Sequence, residues 1–293
     1  LDEVLKLSGV FADLTDMEIH NEKSNVWSTV AELRRILRAE ANINGRPIPC
    51  VAEDRMLGAY ITFSRRRGTT TLAKKLQTCL DICKRIEASL LTFPVRSMLV
   101  SSIVIPKSIY GSAATPFPKK QMNRLRAACA KAIWGQGNRW RSPEIVHTLL
   151  GRGHATDPKQ AYHYNTLGVC RRVLQRHREV WAMFHEVFCH REDNPEISFG
   201  GPVKAMFEAA RACNATWENP ATMAIPTSEE GTQQACFADT EGERFRHVLR
   251  EGLRLDQWCT IAMRRGTYDG IHEGVNRKTT LVLQNKLPGL QKY

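Results

Sequence analysis

The sequence predicts a mainly α-helical chain with a small α+β part at its N-terminal end, and three observations carry that prediction. Strand-like alternation is confined to residues 1–63, helical periodicity sets in at Arg65, and the positive charge is packed into the block where that periodicity begins. Apolar side chains at three- and four-residue steps mark a helix with one buried face, whereas alternation at every second residue marks a half-buried strand.

Taken in order, Leu1 to Leu14 carries apolar residues at 1, 4, 5, 7, 11 and 14 and reads as a helix. Met17 to His20 and Val26 to Ser28 read as short strands around the polar turn Asn21-Glu22-Lys23-Ser24, and Thr29 as the cap of a helix to Arg38. Asn44-Gly45 is a turn dipeptide, and the two prolines of Pro47-Ile48-Pro49 argue against a central strand. Arg55 to Phe63 alternates and is rich in strand formers; it reads as one strand in which Gly58 allows a close backbone approach.

The next stretch organises the rest. Leu72, Leu76, Cys79, Leu80, Cys83, Ile86 and Leu90 fall on one side of a helix, with Lys74, Asp81 and Arg85 on the other. Pro94 opens a second helix where its missing N–H costs nothing, and the almost wholly apolar Val95 to Ile105 predicts that this helix is buried. After a loop at Gly111 to Pro118, a third helix from Lys119 to Trp134 turns Met122, Leu125, Cys129, Ala132 and Ile133 inward. Lys119, Lys120, Arg124, Arg126 and Lys131 face largely outward.

Ser142-Pro143-Glu144 combines an N-cap, a first-turn proline and an acid at the positive helix end, a start signal for Ile145 to Leu150. Asp157-Pro158 repeats the signal and opens a helix expected to run to Cys189. Glu192 to Pro202, polar with two prolines and two glycines, marks a boundary. Beyond it the expectation is a short helix at Val203 to Cys213, a loop from Asn214 to Ala235, and a helix from Glu241 to Arg265. Trp134, Trp181, Trp217 and Trp258 read as core residues rather than a stacking platform.

Charge narrows the class of partner. The formal net charge is +12, yet Arg65 to Arg191 alone holds 23 Lys and Arg against 6 Asp and Glu, a net of +17. Residues 1–64 hold 7 against 10 and residues 192–293 hold 12 against 14, so both flanks are slightly acidic. A basic block between acidic flanks reads as the footprint of a polyanion. Two clusters inside it, Arg65-Arg66-Arg67 and Arg139-Trp140-Arg141, supply the planar forks that grip phosphate oxygens in pairs, the second with an aromatic beside them.

Other chemistries find less support. The nine cysteines contain no Cys-x-x-Cys pair, and several lie on apolar helix faces, which reads as reduced intracellular thiols packed as small hydrophobes. No apolar run approaches the roughly 18 residues of a membrane span. His185-x-x-x-Cys189-His190 has helical ligand spacing but no second Cys/His pair near it. There is neither a phosphate-cradling glycine loop nor a Gly-x-Ser-x-Gly elbow, and Phe11-Ala12-Asp13-Leu14 has leucine where a polymerase carboxylate pair would need a second acid.

Four segments in order nevertheless carry a resemblance. Asp16-Met17-Glu18-Ile19-His20-Asn21-Glu22-Lys23-Ser24, then Met56-Leu57-Gly58-Ala59-Tyr60-Ile61, then Ile105-Pro106 with Tyr110-Gly111, then Ile133-Trp134-Gly135 leading into Arg141-Ser142-Pro143-Glu144, resemble the back half of a LINE-type, non-LTR retrotransposon reverse transcriptase. Their order and spacing over residues 10–150, about half the chain, are the specific part.

The resemblance implies a truncated polymerase palm remnant at residues 1–63, a helical thumb and connection at 64–191, and a helical C-terminal segment of unknown role at 192–293. It implies an RNA-directed DNA polymerase as the parent protein, acting on an RNA template and DNA primer with Mg²⁺ in an intracellular ribonucleoprotein of nucleus or cytoplasm, without a membrane. Lys23 would act near the pyrophosphate of the incoming nucleotide, as a general acid that offsets charge on the leaving oxygen. Leu57 and Gly58 would lie in the strand that grips the primer end. Arg65, Arg66, Arg67, Lys74, Lys75, Lys107, Lys119, Lys120, Arg139, Trp140 and Arg141 would contact the template–primer. The chain opens within a helical pattern at Leu1 and Asp13 lies too close to Lys23 for a family carboxylate. The expectation is therefore a piece of a longer protein, with the metal-binding carboxylates upstream, no metal bound by the piece and no polymerase activity alone. A decayed or domesticated remnant that only binds RNA or DNA is the alternative.

Overall fold

The computed structural model describes residues 2–17, 19–20, 24–43, 45–56, 59–62, 70–113, 117–135, 143–150, 153–194, 201–227, 231–238 and 241–264. These residues are mainly helical with a small sheet part. The chain divides into two compact units, Leu1–Leu72 and Ala73–Tyr293.

In the first unit the expected opening helix forms as α1, Asp2–Leu14, so Phe11-Ala12-Asp13 sits on a helix rather than at a hairpin. The two expected strands beside residues 21–24 do not form among the described residues; Val26 makes only an isolated parallel bridge to Cys50. Helix α2, Ala31–Glu40, begins two residues after Thr29, and its N-cap position is Val30, which has no side chain to cap with. Ser28 takes over that work locally, its Oγ accepting from the Val30 N–H at 3.1 Å.

The proline-rich stretch holds a minimal hairpin instead of loop alone: β1, Asn42–Ile43, pairs antiparallel with β2, Arg46–Pro47. The run read as one strand is also a hairpin. Strand β3, Glu53–Met56, pairs with β4, Ala59–Thr62, and Met56 opposes Ala59, so the chain reverses where a single extended strand was expected. Met56 and Ala59 share one face, as do Asp54 and Ile61, so alternation continues within each strand while its phase shifts by one between them.

The second unit starts from α3, Thr70–Ala88. Its predicted inward face is buried from Leu72 to Ile86, but Leu90 lies past the helix end and is 104% exposed. The second helix is a composite: α4 spans Phe93–Leu99, a π-helical segment spans Val100–Val104, and α5 spans Ile105–Ile109. The Ile105 N–H reaches back five residues to the Val100 carbonyl immediately before Pro106, which has no N–H to give. The expectation of a wholly buried helix is corrected. Val100, Val104 and Ile105 enter the core, while Met98 and Ile103 remain 58% and 44% exposed.

Helix α6 spans Lys119–Trp134 and buries the five apolar residues expected of it. It stops at Gly135, whose φ of +90° and ψ of −175° suit glycine alone. Leu76, Cys79, Leu80, Cys83, Val100, Val104, Leu125, Cys129 and Ile133 make a continuous core among these helices. Within it the thiols of Cys83 and Cys129 lie 3.9 Å apart, packed as hydrophobes.

Helix α7, Pro143–Ile145, runs into a π-helical turn at Val146–Leu150, and a 3₁₀ turn follows at Gly153–Ala155. The long helix expected from Asp157 is two: α8, Pro158–Arg176, and α9, Arg178–Asp193, broken at His177 with φ −126° and ψ 92°. On one straight axis Leu174 and Phe184 would stand about 15 Å apart. The break lets both join a single core with Leu167 and Phe188.

That core continues through α10, Gly201–Ala212, and α11, Gly242–Arg264. The expected boundary at residue 192 thus falls between residues that share one core. Residues 214–235, expected to be loop, hold a three-stranded antiparallel sheet of β5, Thr216–Asn219, β6, Thr222–Thr227, and β7, Gly231–Cys236, with β6 central. The C-terminal segment is therefore not purely helical. Helix α11 lies close against β6 at Gly252, where a Cβ would stand 2.4 Å from Ile225 Cγ2. Trp217 stacks on Phe237 at 5.9 Å, and Trp134 and Trp181 pack at the margins of the two cores while Trp258 is buried.

Candidate nucleic-acid interface

Of the residues expected to touch nucleic acid, Lys74, Lys75, Lys107, Lys119 and Lys120 are described. Lys23, Leu57, Gly58, Arg65, Arg66, Arg67, Arg139, Trp140 and Arg141 lie outside the described residues.

Three helix ends bring the five lysines into one neighbourhood. Lys75, in the early turns of α3, donates from Nζ to the Tyr110 carbonyl at 2.6 Å, which ties it to the end of α5. Burial lowers its pKa, opposed by the nearby Cys79 thiol. Cys79 is itself pushed up to about 11, by burial first and then by Cys83, and both Lys75 and Lys107 pull it back. Ile109 at the end of α5 and Phe117 just before α6 pack against the small cluster of Met122, Tyr162 and Ala205, which brings the start of α6, with Lys119 and Lys120, toward the end of α5.

Lys74, Lys107, Lys119 and Lys120 are exposed, and among the described residues none of them has an ion-pair partner. Arg124, exposed one turn beyond Lys120, extends the same stripe and was not among the residues expected to touch nucleic acid; the four-residue step was its signal. By contrast Lys131 is engaged with Glu87 at 2.8 Å and Lys84 approaches Asp81 at 3.9 Å.

Arg126 corrects the outward reading of α6 most sharply. Its side chain is only 16% exposed; Nε donates to Asp157 Oδ2 at 2.8 Å and a terminal nitrogen to Glu144 Oε1 at 3.2 Å. Asp157 is fully buried and caps α8 as expected, its Oδ1 accepting from the Lys159 N–H at 2.9 Å. Its Oδ2 also accepts from Gln257 Nε2 at 2.7 Å. One carboxylate thus fastens α6, α8 and α11 together.

Burial pushes the Asp157 carboxyl up, but the net displacement is downward, through His147, Arg126 and the Lys159 N–H. Burial also lowers the pKa of His147, against the opposing pull of Asp157, while Arg126 is the permanent cation beside that carboxylate. Nearby, burial and then Lys159 bring His163 down to about 4, against the opposing pull of Asp157. This is a largely buried charged frame that ties α6 to α8 and α11.

Elsewhere, His185 Nδ1 and Cys189 Sγ stand 3.7 Å apart on the exposed side of α9. Among the described residues no three His, Cys, Asp or Glu side chains converge as metal ligands, and no helix is long and apolar enough to cross a membrane. No family model, curated protein or solved structure matches the chain.

Proposed function

We propose that this chain is the palm end and thumb of a LINE-type reverse transcriptase, which in the parent RNA-directed DNA polymerase grips an RNA template and its DNA primer. The observation that carries the proposal is the set of exposed lysines, Lys74, Lys107, Lys119 and Lys120, on α3, α5 and α6 inside the +17 block, none of which has an ion-pair partner among the described residues. Cations left unpaired on one end of a rigid bundle suit a phosphate backbone, whereas cations that only solubilise are usually spread or paired. The ordered segments from Asp16 to Glu144 supply the family reading, and Lys23 keeps its role as acid toward pyrophosphate within it.

The test is binding of the whole 293-residue chain to an RNA–DNA hybrid duplex across a salt series. The expected log–log slope is several units, and the Lys107→Ala/Lys119→Ala/Lys120→Ala variant makes it shallower by about 2 to 3, near 0.9 for each phosphate no longer neutralised. Affinity falls evenly across sequences, because phosphate oxygens carry no base information. A flat salt dependence, or an unchanged slope in the variant, overturns the proposal.

A further inference from the structure

A second cationic surface lies on α8, α11 and the 3₁₀ turn before α8. The rings of Tyr164 and His154 stand 4.9 Å apart at 40°, and both residues are partly buried. Gln160 of α8 bonds the Leu253 carbonyl of α11 and Arg171 of α8 lies over Phe245 of α11, so the two helices run antiparallel side by side and Arg246 and Arg250, one turn apart, fall between those two crossings. Arg171, about two turns beyond Tyr164 on α8, places its guanidinium 5.1 Å over Phe245, beside the start of α11. The carboxylate in this group is Glu243, and Arg246 pairs with it.

Between Tyr164 and Arg171 the face of α8 carries Gly168, whose carbonyl accepts from Arg172 Nε at 3.4 Å. Gly168 sits in mid-helix, where glycine is destabilising relative to alanine, yet a Cβ there would meet nothing within 4 Å. Packing does not require this glycine. Its effect is an open floor next to an aromatic pair, with arginines on either side.

We infer that this furrow binds unpaired nucleotides of single-stranded RNA, a base stacking on the Tyr164–His154 pair while Arg246 and Arg250 meet the phosphates and Gly168 admits the strand. Aromatic faces beside arginines accept any base and favour a splayed strand over a closed duplex. The inference rests on the proposed function in taking nucleic acid as partner; under it, the occupant is template outside the hybrid.

The experiment titrates the whole chain with fluorescent 12-nucleotide oligouridylate and, separately, with the hybrid duplex. Tyr164→Ala weakens oligouridylate binding by about 5- to 100-fold and leaves the duplex within about twofold; Tyr164→Phe, which keeps the ring, stays near wild type. Gly168→Leu, placed in open space and helix-favouring, keeps the thermal midpoint and weakens the single strand alone. Equal loss on both ligands, loss in Tyr164→Phe as large as in Tyr164→Ala, or unaltered oligouridylate binding in Tyr164→Ala and Gly168→Leu overturns the inference. A wild-type chain that binds duplex but not oligouridylate sinks the furrow and leaves the thumb reading standing; the reverse result sinks the thumb reading alone.

Discussion

Replacing Arg126 by methionine removes the cation beneath the lysine-bearing bundle while keeping most of the side-chain volume. Asp157 is fully buried and would keep its bonds from the Lys159 N–H and Gln257 but lose its counter-charge, and Glu144, 13% exposed, would lose its bond from Arg126. Breaking a buried pair from one side costs about 3 to 5 kcal/mol, because a charge is left in a medium that cannot solvate it. At about 2 to 4 °C per kcal/mol for a unit of this size, the midpoint of thermal unfolding falls by roughly 6 to 20 °C. Adding Asp157→Asn removes the stranded charge, so the double variant is more stable than Arg126→Met alone. The acid side of the stability curve responds too. A carboxyl held below its ordinary value contributes stability that is present above the unfolded pKa, about 3.9, and is lost as pH falls through the folded one. That loss shrinks in Arg126→Met. A single variant within about 1 kcal/mol of wild type, or a double variant no better than the single, would falsify the account of Asp157 as a paired buried charge.

Two further outcomes follow from the interior. His163, whose ring nitrogen Nδ1 is buried without a partner, is held neutral with a pKa of about 4. Its folded value lies below the ordinary 6.5 or so, so stability is complete above about pH 6.5 and declines by up to about 3 kcal/mol toward pH 4. His163→Gln flattens a thermal-midpoint scan over that window, and superimposable wild-type and variant scans would contradict the assignment. Gly252→Ala pushes a methyl into Ile225 and the Cys213 carbonyl, which costs about 1 to 3 kcal/mol in urea unfolding; an unchanged midpoint would mean that α11 and β6 do not touch there.

The residues that could be read in advance are those whose signals are local. Helix α6 matches its expected span because period and a bounding glycine coincide at Gly135, and α8 starts where Asp157-Pro158 says it should. The sheet of β5, β6 and β7 is hidden in the sequence because its central strand, Thr222–Thr227, is buried at three consecutive residues and carries Pro226, so neither alternation nor composition marks it. The edges are exposed and rich in Gln and Thr, which reads as loop.

The candidate site divides the same way. That Lys119 and Lys120 face outward could be inferred from helical period, whereas the inward turn of Arg126 depends on Asp157, 31 residues away, and on Gln257, 100 residues further on from that. Apolar periodicity carries no information about which cation will find a buried anion. Gln160 and Leu253 likewise meet only because α8 and α11 pack together, and no spacing in the chain records it.

The bond from Gln160 Nε2 to the Leu253 carbonyl, 93 residues apart in the chain, has a bearing on how this protein is made. A ribosome adding about 5 to 20 residues per second takes on the order of 5 to 20 s to deliver α11 after Gln160 has emerged. Through that interval the greasy side of α8 and α9, with Leu167, Phe184 and Phe188, has no lid from α11. A nascent chain halted within that window keeps this surface open to water, and α11 is what closes it with Phe245, Val248, Leu249 and Leu253.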